Sequence, residues 1–181
     1  EIYFSGPEGR IEGRYHQADD QNAPIALCLH PHPLYGGTMN NKVIYNVYHS
    51  FVRCGFSVLR INFRGVGKSQ GTYDNGVGEL TDAAAALDWL QAGNPDARGC
   101  WIGGFSFGAW VAMHLMMRRP EIDGFVCAYP PTNMYDFSFL SPCPSNGLIT
   151  QGTIDSVVNK DTVDSLVEKL QNQRGVEVDY K

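Results

Sequence analysis

The sequence predicts an α/β fold in which helices cover both faces of a mostly parallel central sheet. Apolar runs of strand length alternate with helical patterns over most of the chain, as expected for successive strand–helix–strand units. The run Pro24–Leu29 is apolar at every position, which is typical of a strand buried on both faces. Two short strands separated by turn signals within residues 1–16 predict an antiparallel N-terminal edge.

Each further element is placed by its apolar spacing and by the glycine or proline residues at its ends. The clearest helix is predicted at Glu79–Gln91, where four successive alanines adjoin a face of three leucines. In chain order, the predicted elements after the N-terminal strands are strand 24–29, helix 40–54, strand 57–63, helix 79–91, strand 100–103, helix 107–119, strand 124–129, strand 148–151, helix 161–173 and strand 176–180.

Composition limits the classes of function. A chain of 181 residues without a linker predicts a single domain over residues 1–181. The net charge of −5 and the lack of a Lys/Arg cluster argue against nucleic acid as a partner. No apolar run approaches the ~20 residues of a membrane span, so no membrane partner is predicted. The five cysteines form no C-x-x-C pair, which favours a reduced, cytoplasmic protein. The oligomeric state is left open.

Residues 104–108, Gly-Phe-Ser-Phe-Gly, carry the strongest chemical signal. They follow a predicted strand and precede a predicted helix, which is the context of the nucleophile elbow of α/β hydrolases. Ser106 is therefore the predicted nucleophile. It would occupy a sharp, strained turn, and the glycines two residues before and after it would avoid a collision of side chains across that turn.

A serine nucleophile needs a base and an orienting carboxylate. Asp155, in the loop directly after a predicted strand, is the predicted carboxylate by chain order; Asp161 and Asp164 are weaker candidates because they fall at or inside the next helix. No histidine follows Asp155, so the catalytic histidine is not present in this sequence. We expect that the sequence stops short of it, and the alternative is a natural form without complete chemistry. The five histidines are His16, His30, His32, His49 and His114.

The loop after strand 24–29 is expected to supply oxyanion contacts. Its two prolines have no N–H to donate, which leaves His32 as the first choice for a backbone donor and Leu34 as the next. The other predicted donor is the N–H of Phe107. The His30-x-His32 pair resembles a fragment of a metal site, but no carboxylate or further histidine lies nearby in sequence, so neither a metal nor any other cofactor is predicted.

Two residues near the same end of the sheet are predicted to bind substrate. Tyr35 lies in the predicted oxyanion loop, and Arg64 follows the next strand, where its guanidinium can hold a carboxylate with two hydrogen bonds. The alternative for Arg64 is a loop-bracing role. The segment 130–146 is too short for a helical lid, so an open site without a cap domain is expected.

Three motifs in order resemble the small bacterial α/β-hydrolase superfamily proteins related to dienelactone hydrolases and to serine esterases and peptidases. They are HPHPLYGGTMNNK at 30–42, RINFRGVGKSQG at 60–71 and GFSFGA at 104–109. The resemblance extends over nearly the whole chain. It implies an α/β-hydrolase fold, with Ser106 as nucleophile and Asp155 as triad acid. It also implies a histidine in a loop beyond the final strand, a segment that this chain lacks.

Dienelactone hydrolases use a cysteine nucleophile, so the serine at position 106 favours esterase or peptidase chemistry instead. The sequence therefore predicts a cofactor-free serine hydrolase that cleaves a small-molecule ester, thioester or amide through an acyl-enzyme. The alternative is a catalytically silent binding protein on the same fold, because no base is present. A hydrolase that depends on cysteine or metal is a third possibility.

Overall fold

The computed structural model describes residues 1–152 and 157–181, which contain eight strands and four α-helices. Single turns of 3-10 helix occur at Pro33–Tyr35 and Ser138–Leu140. The strands are β1 (Ile2–Gly6), β2 (Gly9–His16), β3 (Ile25–Leu29), β4 (Ser57–Ile61), β5 (Cys100–Phe105), β6 (Gly124–Ala128), β7 (Asn146–Thr150) and β8 (Val178–Tyr180). The helices are α1 (Lys42–Arg53), α2 (Val77–Ala92), α3 (Phe107–Arg118) and α4 (Lys160–Gln171).

The strands form one sheet in the order β1-β2-β4-β3-β5-β6-β7-β8. The pairs β1/β2 and β2/β4 are antiparallel, and the other five pairs are parallel. The predicted α/β fold, with a parallel centre and an antiparallel N-terminal edge, is confirmed.

Helices pack on both faces of this sheet. Alternate side chains of β3 divide between the two faces, because successive residues of a strand point in opposite directions. Ile25, Leu27 and Leu29 join the large core under α2, α3 and α4, whereas Ala26 and Cys28 join a smaller core under α1. Every residue of β3 is consequently buried, as its continuous apolar sequence predicts.

The helix starts bring polar groups to the ends of the strands. Helix α2 begins two residues earlier than predicted because the Glu79 carboxylate accepts hydrogen bonds from the N–H groups of Asp74 and Gly76 and so caps the first turn. Strand β7 also begins two residues before its predicted start, at Asn146, where it pairs with Gly124 of β6.

Strands β3, β5 and β6 are neighbours and parallel, so the loops after them meet at one edge of the sheet. Within the described ranges, none of the helices has the length and apolar character needed to cross a bilayer.

Candidate active site

Ser106 is the single residue between β5 and α3, and its backbone adopts the strained conformation that the sequence predicts. Its φ of 54° and ψ of −120° lie in a region that side-chain-bearing residues rarely enter. The N–H of Ser106 donates to the carbonyl of Ala128 in β6, and its own carbonyl accepts from Ala109 and Trp110 in α3. Bonds on both sides thus hold the turn in place.

The two glycines that flank Ser106 are needed for close packing of backbone on backbone. A Cβ at Gly104 would overlap the backbone of Gly108 and Ala109, which confirms the predicted collision across the turn. A Cβ at Gly108 would instead overlap the carbonyl groups at the end of β3, Leu29 and His30. The second glycine therefore lets α3 approach the neighbouring strand.

Two backbone N–H groups beside Ser106 are open to a ligand. Phe107 is the first residue of α3, and neither its N–H nor that of His32 has a hydrogen-bond acceptor among the residues that the structure describes. Both residues line the same cleft as Ser106. A helix N-terminus also carries partial positive charge, which favours an anion at this position.

The prediction of Leu34 as an oxyanion donor is wrong for this structure. The Leu34 N–H donates to Nδ1 of His32, at 3.2 Å, so it is occupied inside its own turn. The neighbouring Tyr35 N–H donates to the His32 carbonyl. The side chain of Leu34 is largely exposed and is not part of the cleft wall. Of the predicted donors in this loop, only His32 has an N–H without an acceptor among the described residues.

The His32 ring is neutral and has a partner at each nitrogen. Because Nδ1 accepts from Leu34, the ring proton lies on Nε2, which donates to the Tyr73 hydroxyl at 3.1 Å. Partial burial lowers the pKa of His32, and this outweighs the opposing effect of Glu79. The Tyr73 and Tyr135 hydroxyls also lie close enough for each to affect the pKa of the other. The ring thus holds its own loop in place.

His30 has a structural position beneath this loop. It is fully buried, its Nε2 accepts from the N–H of Phe63, and its Nδ1 donates to the carbonyl of Pro31. Burial lowers its pKa to about 4. Since all four ring nitrogens of His30 and His32 have protein partners, the pair is not arranged to bind a metal. No cluster of potential metal ligands occurs in residues 1–152 and 157–181.

The cleft next to Ser106 has a volume of about 560 Å³. Tyr35 lines the cleft and is 86% exposed, and its predicted binding of substrate stays a prediction. The strands and loops at the carboxyl edge of the sheet contribute its wall. The described lining residues are Pro31, His32, Tyr35, Phe105, Ser106, Phe107, Met134, Tyr135 and Val157.

The prediction that Arg64 binds substrate is contradicted by its contacts. Its guanidinium is buried and forms a two-pronged ion pair with Asp82 of α2, with Nε–Oδ2 and Nη2–Oδ1 distances of 3.0 and 2.8 Å. A further hydrogen bond goes to Thr81. The loop-bracing alternative is therefore the correct one, although the partner is a carboxylate. Arg64 does not line the cleft.

The structure does not show the predicted carboxylate or a histidine base next to Ser106 in the residues that it describes. Asp155 lies outside the described residues. In the described part of the chain, no histidine is hydrogen-bonded to Ser106, and the imidazoles of His30 and His32 are committed elsewhere. Tyr73 is a site residue that sequence reasoning missed. It lies in a glycine-rich loop without regular spacing, so nothing in the sequence places its hydroxyl next to His32.

Comparison with known proteins gives a consistent result. A family model described as X-Pro dipeptidyl-peptidase (S15 family) matches residues 14–178. An uncharacterised protein of Rickettsia prowazekii (strain Madrid E) is 63% identical over 185 residues, which span all of this chain and 78% of that protein.

Solved structures agree with the family match. The crystal structure of an α/β hydrolase of unknown function from Agrobacterium tumefaciens has a TM-score of 0.96 at 54% identity, covering 99% of this chain and 82% of that one. An α/β serine hydrolase without a lid, from Xanthomonas campestris, has a TM-score of 0.86 at 30% identity, with coverage of 99% and 83%.

Proposed function

The chain belongs to the X-Pro dipeptidyl-peptidase (S15) family, among the α/β serine hydrolases, and from this premise we propose that it cleaves the ester, thioester or amide bond of a small molecule. The observation that carries the proposal is the position of Ser106. It lines an open cleft from a strained turn, beside two backbone N–H groups that have no acceptor among the described residues.

The proposed reaction passes through an acyl-enzyme. Ser106 Oγ attacks the substrate carbonyl carbon while a base takes the hydroxyl proton, and the carbonyl oxygen becomes an oxyanion. The N–H groups of Phe107 and His32 donate to that oxygen. The bond to the alcohol, thiol or amine then breaks, and the leaving group receives the proton from the base. Water, activated by the same base, releases the acid and restores the serine.

We propose Asp155 as the carboxylate that orients the base, and a histidine outside residues 1–181 as the base itself. His32 is a poor candidate because its Nδ1 accepts from Leu34 and its Nε2 donates to Tyr73. A second candidate function, ligand binding without catalysis, rests on the observation that no histidine is hydrogen-bonded to Ser106 in the part of the chain that the structure describes.

An ester is favoured over a peptide as the substrate. A peptidase that removes dipeptides must hold a free N-terminal ammonium group, for which a carboxylate is the usual partner. None of the described lining residues of the cleft is acidic. The open rim and the absence of a lid in the Xanthomonas relative favour small esters over long-chain lipids.

Labelling with a fluorophosphonate probe tests this proposal. The protein as encoded by its gene is treated with the probe, and the modified residue is located by mass spectrometry. We expect the label on Ser106, no label in the Ser106→Ala variant, and normal labelling of Ser165→Ala, which changes an exposed serine of α4. Absence of the label in folded protein would favour the binding-protein alternative, and a label at another residue would contradict the mechanism.

We also propose that the protein works in the cytoplasm. All five cysteines are free, and four of them, Cys28, Cys100, Cys127 and Cys143, are buried. This pattern fits a reducing compartment.

A further inference from the structure

We propose that the cleft beside Ser106 receives an uncharged aromatic group of the substrate. This inference rests on the proposed function and names the substrate class for the same site. Three independent features of the cleft support it: the rings that form its wall, the apolar side chains exposed at its rim, and the engagement of the neighbouring charged groups within the protein.

The wall of the cleft is a continuous set of rings in contact. The His32 ring lies 4.6 Å from that of Tyr35 and 5.0 Å from that of Phe107, measured between centroids. Phe107 meets Tyr135 at 6.1 Å. These spacings fall in the range of offset and edge-to-face ring contacts, so a further planar ring can extend the array without a new geometry.

Apolar side chains are exposed to water at the rim of the cleft, which is unfavourable. Tyr35 is 86% exposed, Met134 is 57% exposed and Val157 is 63% exposed. These three residues belong to different loops but line one cleft. Isolated exposed apolar residues are ordinary, whereas a convergent set next to a nucleophile indicates a surface that an apolar ligand covers.

Charged side chains in and next to the loop between β4 and α2 already have hydrogen-bonding partners inside the protein. The Arg64 guanidinium is paired with Asp82, and the Glu79 carboxylate accepts two backbone hydrogen bonds at the start of α2. His32 is neutral, and no described lining residue is Asp, Glu, Lys or Arg. A carboxylate or ammonium group on the substrate would therefore lose water without gaining an ionic partner among the described residues.

An alkyl chain would also be apolar, and the rings decide between the two classes. Aromatic side chains gain from ring-to-ring contact beyond the area that they bury. A saturated ring of the same size buries a similar area but lacks that contribution. The comparison between an aromatic ester and its saturated counterpart is therefore the sharpest discriminator.

Binding to the Ser106→Ala protein tests the inference without requiring turnover. The ligands are methyl 3-phenylpropanoate, its cyclohexyl analogue, methyl octanoate, and phenylpropanoate esters that carry a ring carboxylate or ammonium group, all titrated by calorimetry. We expect the phenyl ester to bind about threefold more tightly than the cyclohexyl ester, and both charged esters to bind at least about tenfold more weakly than the phenyl ester. Equal or tighter binding of the cyclohexyl, octanoate or charged esters would overturn the inference.

Matched variants locate the ligand. In the Ser106→Ala background, Tyr35→Ala and Met134→Ala should each weaken binding of the phenyl ester by about three- to tenfold. Met117→Ala changes an exposed methionine of α3 outside the cleft lining and should alter the dissociation constant by less than about 1.5-fold. An equal effect of the two methionine variants would place the ligand elsewhere.

The two proposals fail in different ways. If Ser106 is labelled but the aromatic ester is not preferred, only the substrate class is wrong. If the aromatic ester binds as expected but Ser106 is not labelled, the cleft is an aromatic-ligand site and the hydrolase mechanism is wrong.

Discussion

Two loops line the cleft, and they differ in the contacts that hold them. The loop after β3, residues 30–37 (the β3 loop), is fixed by polar contacts to its own backbone. Leu34 donates to the His32 ring, and Tyr35 and Gly37 donate to the His32 carbonyl. His30 fixes the base of the loop to the end of β4 through Phe63.

The loop after β6, residues 129–140 (the β6 loop), also has internal hydrogen bonds, since the N–H groups of Met134 and Tyr135 donate to the Pro131 carbonyl. In addition, side chains of the helical layer hold it from outside. Tyr135 stacks on Trp110 of α3 with centroids 4.6 Å apart, and the Trp110 ring N–H donates to the Asp136 carbonyl. Thr132 is hydrogen-bonded to Thr162 of α4. This loop exposes the side chain of Met134 to the cleft.

The difference separates two tasks. A backbone N–H that must meet a developing oxyanion has to be held to within a fraction of an ångström, and the β3 loop has the dense hydrogen bonding that such precision needs. Contact with an apolar substrate group tolerates more movement, and the β6 loop offers surface rather than donors. Substitutions in the β3 loop should therefore affect the stability of the protein and the rate of the reaction. Substitutions in the β6 loop should affect the preference for one substrate over another.

The largest effect is expected from Gly37→Ala. A Cβ at Gly37 would overlap the carbonyl groups of Pro31 and His32, so the β3 loop must open. We expect a loss on the order of 3 kcal/mol in the free energy of unfolding, measured by urea denaturation. Gly36→Ala is the matched control: its Cβ has open space, and only its φ of 77° is unfavourable, which costs about 1 kcal/mol. Similar losses in the two variants would show that backbone overlap does not limit this loop.

The next effect concerns pH and His30. Its pKa is about 4 in the folded protein, against an ordinary value of 6.5, because burial opposes the charged ring. Between these two values the unfolded chain binds a proton that the folded protein does not, so stability falls as the pH falls through that window. Below the folded pKa the loss levels off at about 3 kcal/mol.

Two measurements check the His30 prediction. The free energy of unfolding should decrease by about 1.5 kcal/mol between pH 6.5 and about pH 5 on account of His30. Burial and Arg118 also lower the pKa of His114 to about 4, so the measurement is repeated in His114→Gln to remove that contribution. The imidazole resonances of His30 should remain those of a neutral ring down to about pH 5. A His30 ring that titrates near its ordinary pKa would contradict the buried, neutral assignment.

A smaller effect, on rate, is expected from the His32 side chain. His32→Leu removes the acceptor for the Leu34 N–H and should lower kcat by about 10- to 100-fold with little change in KM, because the oxyanion donor loses its position. His32→Asn keeps an oxygen that can accept the same N–H two residues on and should retain kcat to within about fivefold. If both variants lose activity equally, the ring acts in another way, for example through Tyr73.

The smallest effect is expected from the hydroxyl of Tyr135. Tyr135→Phe removes this hydroxyl and its interaction with Tyr73 but keeps the ring that stacks on Trp110. Burial, together with Tyr73, raises the pKa of Tyr135 to about 12, so the lost group is a neutral hydroxyl. We expect less than about 1 kcal/mol of destabilisation and less than about a threefold change in kcat/KM. A tenfold loss of kcat would assign the β6 loop a part in the chemistry.

The sequence predicts the layout of this molecule well because its signals are local. The alternation of apolar runs depends on burial of whole segments, and Gly104 reflects a close approach to the backbone only four and five residues further along the chain. The Asn41 side chain likewise accepts from N–H groups of the first turn of α1, two and three residues further along the chain. These features are set within a few residues of chain, so periodicity and turn chemistry are sufficient to find them.

The incorrect site predictions involve partners that sequence spacing does not fix. Arg64 and Asp82 lie 18 residues apart across a loop and a helix start, and their pairing depends on how α2 packs against the sheet. The N–H of Leu34 is lost to a side-chain rotamer of His32. Both are short-range contacts in space that no periodic pattern encodes. Asp155 lies outside the described residues and remains a prediction.

The turn at Ser106 also sets stability against activity. The positive φ of Ser106 destabilises the folded protein, and any residue with a Cβ at this position would have the same effect. A different nucleophilic side chain would therefore not remove the strain. Only glycine adopts this conformation freely. Ser106→Gly should therefore melt at a higher temperature than the parent protein while losing its nucleophile. In a lineage under selection for stability alone, the serine would be among the first residues to disappear.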